Sequence, residues 1–125
     1  MEAAGVAVAL QSFSFDLGNS LVYRELVGGT KEVLLTDRAA TGSTTLEAIS
    51  IATKDYFAAA LADSSLGNLD FTHGTVAGNI VDFASTRVDI GDVNYGDQDG
   101  IAMLTIPYTC VPSTAGNDEF SLAYT

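Results

Sequence analysis

The stretch TKDYFAAALA, from Thr53 to Ala62, is the one segment of this sequence with a helical pattern. Its apolar residues recur three or four positions apart and so fall on one side of a helix; they are Tyr56, Phe57, Ala60 and Leu61. Thr53 is the expected N-cap, because its hydroxyl can accept a hydrogen bond from a free amide of the first turn. A helix of about ten residues is marginally stable alone. We therefore expect a helix near 54–62 whose apolar stripe lies on a sheet.

The rest of the chain has the pattern of strands separated by turns. Alternating or β-branched residues predict strands at 5–17, 21–27, 32–36, 44–51, 69–73, 81–90, 101–108 and 120–124. In the first run the apolar parity changes between Leu10 and Phe13, which predicts a bend, a bulge or a strand buried on both faces. Gly28-Gly29 predicts a hairpin turn, and 41–43 a further turn. The fold class is therefore mainly β: an antiparallel β-sandwich or half-open barrel of two sheets with one flanking helix, in a single domain over 1–125.

The composition is strongly acidic. Sixteen Asp and Glu residues against five Lys and Arg give a net charge of −11, and all five bases lie before residue 88. Nucleic-acid binding needs clustered bases that neutralise phosphates, so this class of function is excluded. The longest uncharged stretch, 100–117, contains two prolines and cannot be a membrane span. Because the N-terminus lacks the basic region of a signal peptide, we expect a soluble, unexported protein that does not act at a membrane.

The densest polar segment is DVNYGDQDG, from Asp92 to Gly100. Its oxygen-bearing side chains are of the kind that coordinates calcium in turns; they belong to Asp92, Asn94, Asp97 and Asp99. The EF-hand pattern fails, since Asp97 stands where that loop needs glycine and Met103 where it needs its last acid. Aspartate and glycine are also ordinary residues of loops between strands. A solvated loop is the expected structure, and a calcium site is the alternative.

Three other features were weighed as sites. His73, the single histidine, lies at a strand end, and no GxSxG motif accompanies it, so a structural role is expected. Cys110, the single cysteine, cannot form an internal disulfide and has the surroundings of a small core residue rather than a nucleophile. Asp37 and Arg38 end a strand and could form a charged pair with a neighbour, either inside the domain or across an interface.

Six segments, taken in order, carry a family resemblance: SFSFDLGNSLVYRELVGG (12–29), VLLTDRAATGSTTLEA (33–48), KDYFAAAL (54–61), DFTHGTVAGNIVDF (70–83), YGDQDGIAML (95–104) and GNDEFSLAY (116–124). Together they resemble the C-terminal part, or a short form, of a tailed-bacteriophage tail tube protein, also called a major tail protein. The resemblance runs from about residue 11 to the end, and 36–48 is its most distinctive part. It implies that the chain is a domain excised from a longer protein, with Met1 added.

The resemblance implies a structural protein and not an enzyme, without catalytic residues or a cofactor. Subunits of that family form hexameric rings that stack into a tube around a tape-measure protein, bounded by tail-tip and tail-terminator proteins. The implied location is the virion tail of a phage or prophage, assembled in the host cytoplasm. DNA would pass through the lumen without being bound, and an acidic wall would repel it within a Debye length of about 8 Å.

Loop composition makes two segments candidates for contacts between ring subunits. We expect 38–42 and 91–100 to be mobile in a free subunit and ordered between subunits. The candidate interface residues are Asp37, Arg38, Thr41, Gly42, Asp97 and Asp99. Two other classes of function stay open on the residues alone. One is a calcium-stabilised adhesive or binding β-sandwich that uses the 92–99 segment. The other is a small hydrolase that uses His73 with an aspartate and a serine.

Overall fold

A computed structural model describes residues 2–3, 6–62 and 67–125, and at 2, 3, 6 and 7 it describes the backbone alone. Met1 lies outside this range, and its being an added residue stays a prediction. The described elements are β1 (Glu2–Ala3), β2 (Val6–Ala7), β3 (Leu10–Asp16), β4 (Ser20–Glu25), β5 (Lys31–Asp37), β6 (Thr41–Glu47), α1 (Tyr56–Leu61), β7 (Gly67–His73), β8 (Val81–Ile90), β9 (Asn94–Gln98), β10 (Ile101–Cys110) and β11 (Ser121–Tyr124).

Nine of the strands form one curled antiparallel sheet, and β4 and β5 form a second sheet. The two longest strands make the sheet curl, because each changes its partner along its length. Strand β8 pairs with β11 over 81–84 and with β10 over 88–90, while β10 pairs with β9 over 101–105 and with β8 over 108–110. At about 3.3 Å per residue, a ten-residue strand is long enough to pair with one strand near its first end and with a different strand near its other end. The fold class predicted from the sequence, a half-open β-sandwich with one helix, is confirmed.

Aromatic side chains close the open side of the curled sheet. The ring of Phe13 on β3 stacks on that of Phe71 on β7 at 4.8 Å, and Phe15 packs on Phe120 at 4.7 Å. Phe83 contacts both β3 rings. The register shift between Leu10 and Ser12 turns Phe13 and Phe15 toward this cluster, so the predicted parity change is a bulge. Side chains thus join β3 to β7, since no backbone ladder joins these two strands in the described chain.

Strand β6 lies between β3 and β10, so the turn predicted at 41–43 is wrong. Its sequence, TGSTTLE, looks like a turn because of its glycine and hydroxyl residues, but sheet pairing on both edges overrides that preference. Gly42 is required by close packing: a Cβ there would lie 2.1 Å from the Ser14 carbonyl oxygen. The same oxygen accepts a hydrogen bond of 2.7 Å from the Tyr108 hydroxyl. Leu46 on β6 is completely buried.

The helix is shorter than predicted and begins later. Asp55 is its N-cap instead of Thr53, since the Asp55 carboxylate accepts a 2.9 Å hydrogen bond from the Ala58 amide. Thr53 belongs to the preceding turn, where its amide donates to the Ser50 carbonyl oxygen. Of the expected stripe, Tyr56 is buried but Leu61 is 88% exposed. A carboxylate accepts amide hydrogen bonds better than a hydroxyl, which explains the later start.

Two strands were not predicted, β1 and β9, and the strand predicted at 5–17 is divided into β2 and β3. The run predicted at 44–51 ends at Glu47, because a turn at 50–53 precedes the helix. Within the described ranges, no helix is both long and apolar enough to span a membrane.

Candidate assembly surface

The hairpin formed by β4 and β5 stands apart from the curled sheet. Its strands pair with each other from Ser20 to Glu25 and from Lys31 to Asp37. No other described strand or helix packs against them. Gly28 and Gly29, with φ of 118° and 94°, supply the left-handed backbone of the turn, as the sequence predicts. The result is a two-stranded ribbon without a core of its own.

One face of this ribbon is apolar and exposed. Register pairs Leu21 with Leu35 and Tyr23 with Val33, so these four side chains lie on the same face. Each of the four is more than half exposed. We call this set the hairpin apolar face. The hairpin tip, 26–30, adds Leu26 and the fully exposed Val27. Large exposed apolar patches on folded chains mark interaction sites in many proteins, which makes this face a candidate contact surface.

The hairpin is also the neutral part of an acidic molecule. From Ser20 to Arg38 it carries three bases and three acids, so the whole net charge of −11 lies outside it. Arg24 pairs with Glu32 across the strands, and Lys31 Nζ lies 2.7 Å from Glu25 Oε1. A copy of the hairpin can therefore approach the acidic body of another copy without adding charge repulsion.

The hairpin joins the body at Arg38. Its guanidinium forms an ion pair with Glu119 and donates a 3.2 Å hydrogen bond to Asn117 Oδ1. Glu119 is buried in the body, and its carbonyl oxygen accepts a 2.6 Å hydrogen bond from the buried Ser85 hydroxyl. Of the two alternatives for Arg38, the structure thus shows the contact inside the domain. Asp37 accepts a hydrogen bond from the Arg38 amide and stays exposed.

The four predicted calcium ligands are spread along a strand. Asn94 and Asp97 lie on β9, Asp92 precedes it, and Asp99 belongs to the turn into β10. Asn94 and Asp97 are three residues apart on the strand, which is roughly 10 Å. Ligands of one calcium ion lie within about 2.6 Å of the metal and so much closer to one another. In the part of the chain that the structure describes, no three His, Cys, Asp or Glu side chains group as a metal site.

Over 94–98 this segment pairs with β10, so the loop predicted over 91–100 is wrong for these five residues. Thr41 and Gly42 belong to β6, whereas 38–40 lie outside the strands. That both segments are mobile in a free subunit stays a prediction. Thr41 is exposed, whereas Gly42 packs internally. Whether Thr41, Gly42, Asp97 and Asp99 contact another subunit stays a prediction.

The single histidine is exposed, whereas the single cysteine is buried. His73 is exposed at the end of β7, where its ring packs on Phe71 with 6.3 Å between centroids. The hydrogen bonds of the described residues include none from His73 to a serine or aspartate. Cys110 is buried in the core. Burial raises the pKa of its thiol, so it is held in the weakly nucleophilic form.

Sequence reasoning missed the hairpin apolar face. The signal is in β4 itself, where Leu21, Val22 and Tyr23 follow one another without polar alternation. Three consecutive apolar residues in a strand place apolar side chains on both faces. In a two-stranded ribbon neither face has a core to cover it.

The comparisons with known proteins fit this geometry. The sequence profile described as phage tail tube protein matches residues 1–110 of the chain. The chain belongs to the phage tail tube protein family. Among solved structures, it is similar to a chain from the tail of an empty GTA particle with C6 symmetry, at a TM-score of 0.54 and 18% identity. That likeness covers 94% of this chain and 83% of the other, and it shows a shared fold. No curated protein sequence matches.

The tail tube resemblance seen in the sequence is therefore confirmed. Membership of this family makes the chain a structural subunit of the tail tube, located in the virion tail. The profile match begins at residue 1, whereas the resemblance was seen from residue 11 onward. That the chain is an excised C-terminal domain stays a prediction.

Proposed function

We propose that this tail tube protein forms rings of six identical subunits, and that the rings stack into a hollow tube. The observation that carries this proposal is the hairpin apolar face, where Leu21, Tyr23, Val33 and Leu35 each stay more than half exposed in the described chain. Burying apolar surface is worth about 25 cal/mol per Å², which favours contacts between copies. The structural neighbour comes from a tail with C6 symmetry, which supports six as the ring size.

The tube would act as a conduit for DNA. With a net charge of −11 per subunit, a ring of such chains repels phosphates wherever its acids face the lumen. A basic wall would retain DNA through ion pairs with the phosphates, which release counterions. The acidic composition supports passage without binding.

The further partners are those that a tail tube of this kind requires. We propose a tape-measure protein inside the tube, a tail-tip complex that starts it and a terminator that ends it. Assembly would take place in the cytoplasm of the bacterial host. The role is mechanical and not catalytic. Cys110 is buried, and among the described residues His73 makes no hydrogen bond to a serine or aspartate, so neither residue supports a nucleophilic mechanism.

Electron microscopy of the purified chain at rising concentration tests the proposal, with and without a tail-tip extract. Rings or tubes with a central hole are expected. The double variant Leu21→Ser/Leu35→Ser removes two cross-strand partners of the hairpin apolar face and should leave monomers. Val76→Ser is the matched control, because Val76 is equally exposed but lies outside the hairpin.

Two results would contradict the proposal. The wild-type chain could stay monomeric even when every other tail component is added. This result would contradict self-assembly. Alternatively, the double variant could form the same tubes at the same concentration as Val76→Ser, which would show that the hairpin apolar face does not hold subunits together.

A further inference from the structure

A second exposed apolar surface lies beside the helix. Phe57, Ala60 and Leu61 of α1 face Val93 across an open groove of about 360 Å³, with Asp92 and Asn94 on its rim. We call this the helix groove. The ring of Phe57 lines the groove and packs on Tyr95 of β9 with 5.3 Å between centroids. Leu61 projects from its edge and is 88% exposed.

Leu61 gains little stabilisation within one subunit, because its side chain is 88% exposed. Burial of a leucine side chain is favourable, so a contact that covers Leu61 would add a gain that the free chain lacks. Leu61 occupies the last helical position, and among the described residues its side chain has no buried packing role. The same holds for Val27 at the hairpin tip, which is fully exposed.

We propose that the helix groove receives the hairpin tip of a second copy of this chain, with Leu26 and Val27 seated against Phe57 and Leu61. This inference rests on the proposed self-assembly and names the contact that the tip makes in it. Charge favours the tip over other parts of a second copy. The hairpin is neutral, and Lys31 stands just behind the tip, whereas Asp92 lies on the groove rim.

The ionic part of this contact costs little to form. Lys31 and Glu25 are both more than half exposed, and their pair is therefore worth under about 1 kcal/mol in the free chain. Lys31 can exchange Glu25 for Asp92 of the second copy with little loss. The apolar contact would supply the affinity, and the Lys31 to Asp92 contact would fix the direction of approach.

Disulfide trapping tests the contact with high specificity, because the native Cys110 is buried and does not compete. A Val27→Cys chain is mixed with a Leu61→Cys chain at a concentration where rings form, and the mixture is oxidised mildly. A covalent dimer is expected. Val27→Cys mixed with Val76→Cys is the control, and it should give at least tenfold less dimer. Both changed positions are exposed, so folding is preserved.

A second variant measures the apolar contribution. Leu61→Ser should raise the concentration at which rings appear by roughly tenfold. Ala58→Ser, on an exposed position of the same helix, should leave that concentration unchanged.

The outcomes separate this inference from the proposal beneath it. Rings that form normally without the Val27 to Leu61 crosslink would overturn the hairpin-to-groove contact and leave self-assembly standing. An equal yield of dimer with Val76→Cys would overturn it too, because it would show random collision. Absence of any ring from the wild-type chain overturns both.

Discussion

The burial of strands β6 and β4 is the reverse of what their sequences predict. Strand β6 reads TGSTTLE, mostly glycine and hydroxyl residues, yet it lies in the middle of the curled sheet with Thr44 and Leu46 buried. Strand β4 reads SLVYRE and is rich in apolar residues, yet all six positions are exposed. The apolar residues of β4 therefore match the environment that the proposed assembly would give them, and not the one they have in the single subunit.

The physical reason lies in how each strand is held. Ladders on both edges fix β6, and close approach of β3 and β10 needs small residues there. The hairpin has one ladder, two exposed ion pairs and the Arg38 contact at its base. A two-stranded hairpin is marginally stable by itself in water. Its apolar residues therefore acquire their stabilising effect when a neighbour covers them.

The largest expected effect on the single chain is at Leu46. The side chain is fully buried, so Leu46→Ala should lower the free energy of unfolding by about 2–5 kcal/mol through lost burial and the cavity left behind. The measurement is urea denaturation of the monomer. Leu21→Ala is the matched change in the hairpin, where the effect should stay under about 0.5 kcal/mol. If Leu46→Ala and Leu21→Ala lowered the free energy of unfolding equally, β6 would not be the buried strand and β4 the exposed one.

Gly42→Ala should have the next largest effect. The new methyl group would lie 2.1 Å from the Ser14 carbonyl oxygen and 2.5 Å from the Tyr108 hydroxyl, so β3 must shift. Overpacking of this kind costs about 1–3 kcal/mol. Gly96→Ala on the outer strand β9 is the control, because its methyl group would meet Met103 at 4.0 Å, an ordinary contact. A Gly42→Ala chain as stable as Gly96→Ala would show that β3 and β6 are not closely packed.

Much of the fold could be predicted because its core strands follow local rules. Alternation in 81–90 and 101–108 located β8 and β10, and Gly28-Gly29 located the hairpin turn. Strand β9 was missed because NYGDQ has the composition of a loop and is a strand only through pairing with β10. The turn wrongly predicted at 41–43 has the same origin, since pairing is a tertiary effect that local preference does not contain.

The candidate site was less predictable. Arg38 was singled out as a member of a charged pair, but its partner Glu119 lies 81 positions away in the sequence, and no local pattern connects the two residues. The family could be predicted from the order of six sequence segments, because these segments are spread over most of the chain. The family profile also matches most of it, residues 1–110. The hairpin apolar face was overlooked because its residues look like those of an ordinary core strand.

The core should also be the part of the chain that is sensitive to alkaline pH. Burial raises the pKa values of Tyr56, Tyr108 and Cys110. Each group is then neutral in the folded chain at a pH where the unfolded chain has already lost its proton. Their contribution is complete below the unfolded pKa values, about 8.5 for cysteine and 10 for tyrosine, and is lost as pH rises toward the folded values.

The free energy of unfolding should therefore be level from pH 7 to 8 and fall above about pH 9, measured by urea denaturation at each pH. Tyr108→Phe should make this fall shallower. At neutral pH it should cost about 1 kcal/mol, because the hydrogen bond to the Ser14 carbonyl oxygen is lost. If the free energy of unfolding of Tyr108→Phe fell as steeply above pH 9 as that of the wild type, Tyr108 would not contribute to the alkaline sensitivity.

The smallest expected effect belongs to the hairpin ion pair of Arg24 and Glu32. Both side chains are more than a third exposed, so Arg24→Ala should change the free energy of unfolding by less than about 0.5 kcal/mol, and high salt should abolish even that. Arg38→Ala is the contrasting arginine variant, because its partner Glu119 is 7% exposed and would be left buried without a counter-charge. If the two variants lose the same free energy of unfolding, or if salt reduces both losses equally, the ion pair at the hairpin base is no stronger than the pair between the hairpin strands. A loss confined to Arg38→Ala would show that the body holds the hairpin at its base alone, which leaves its apolar face available to a neighbour.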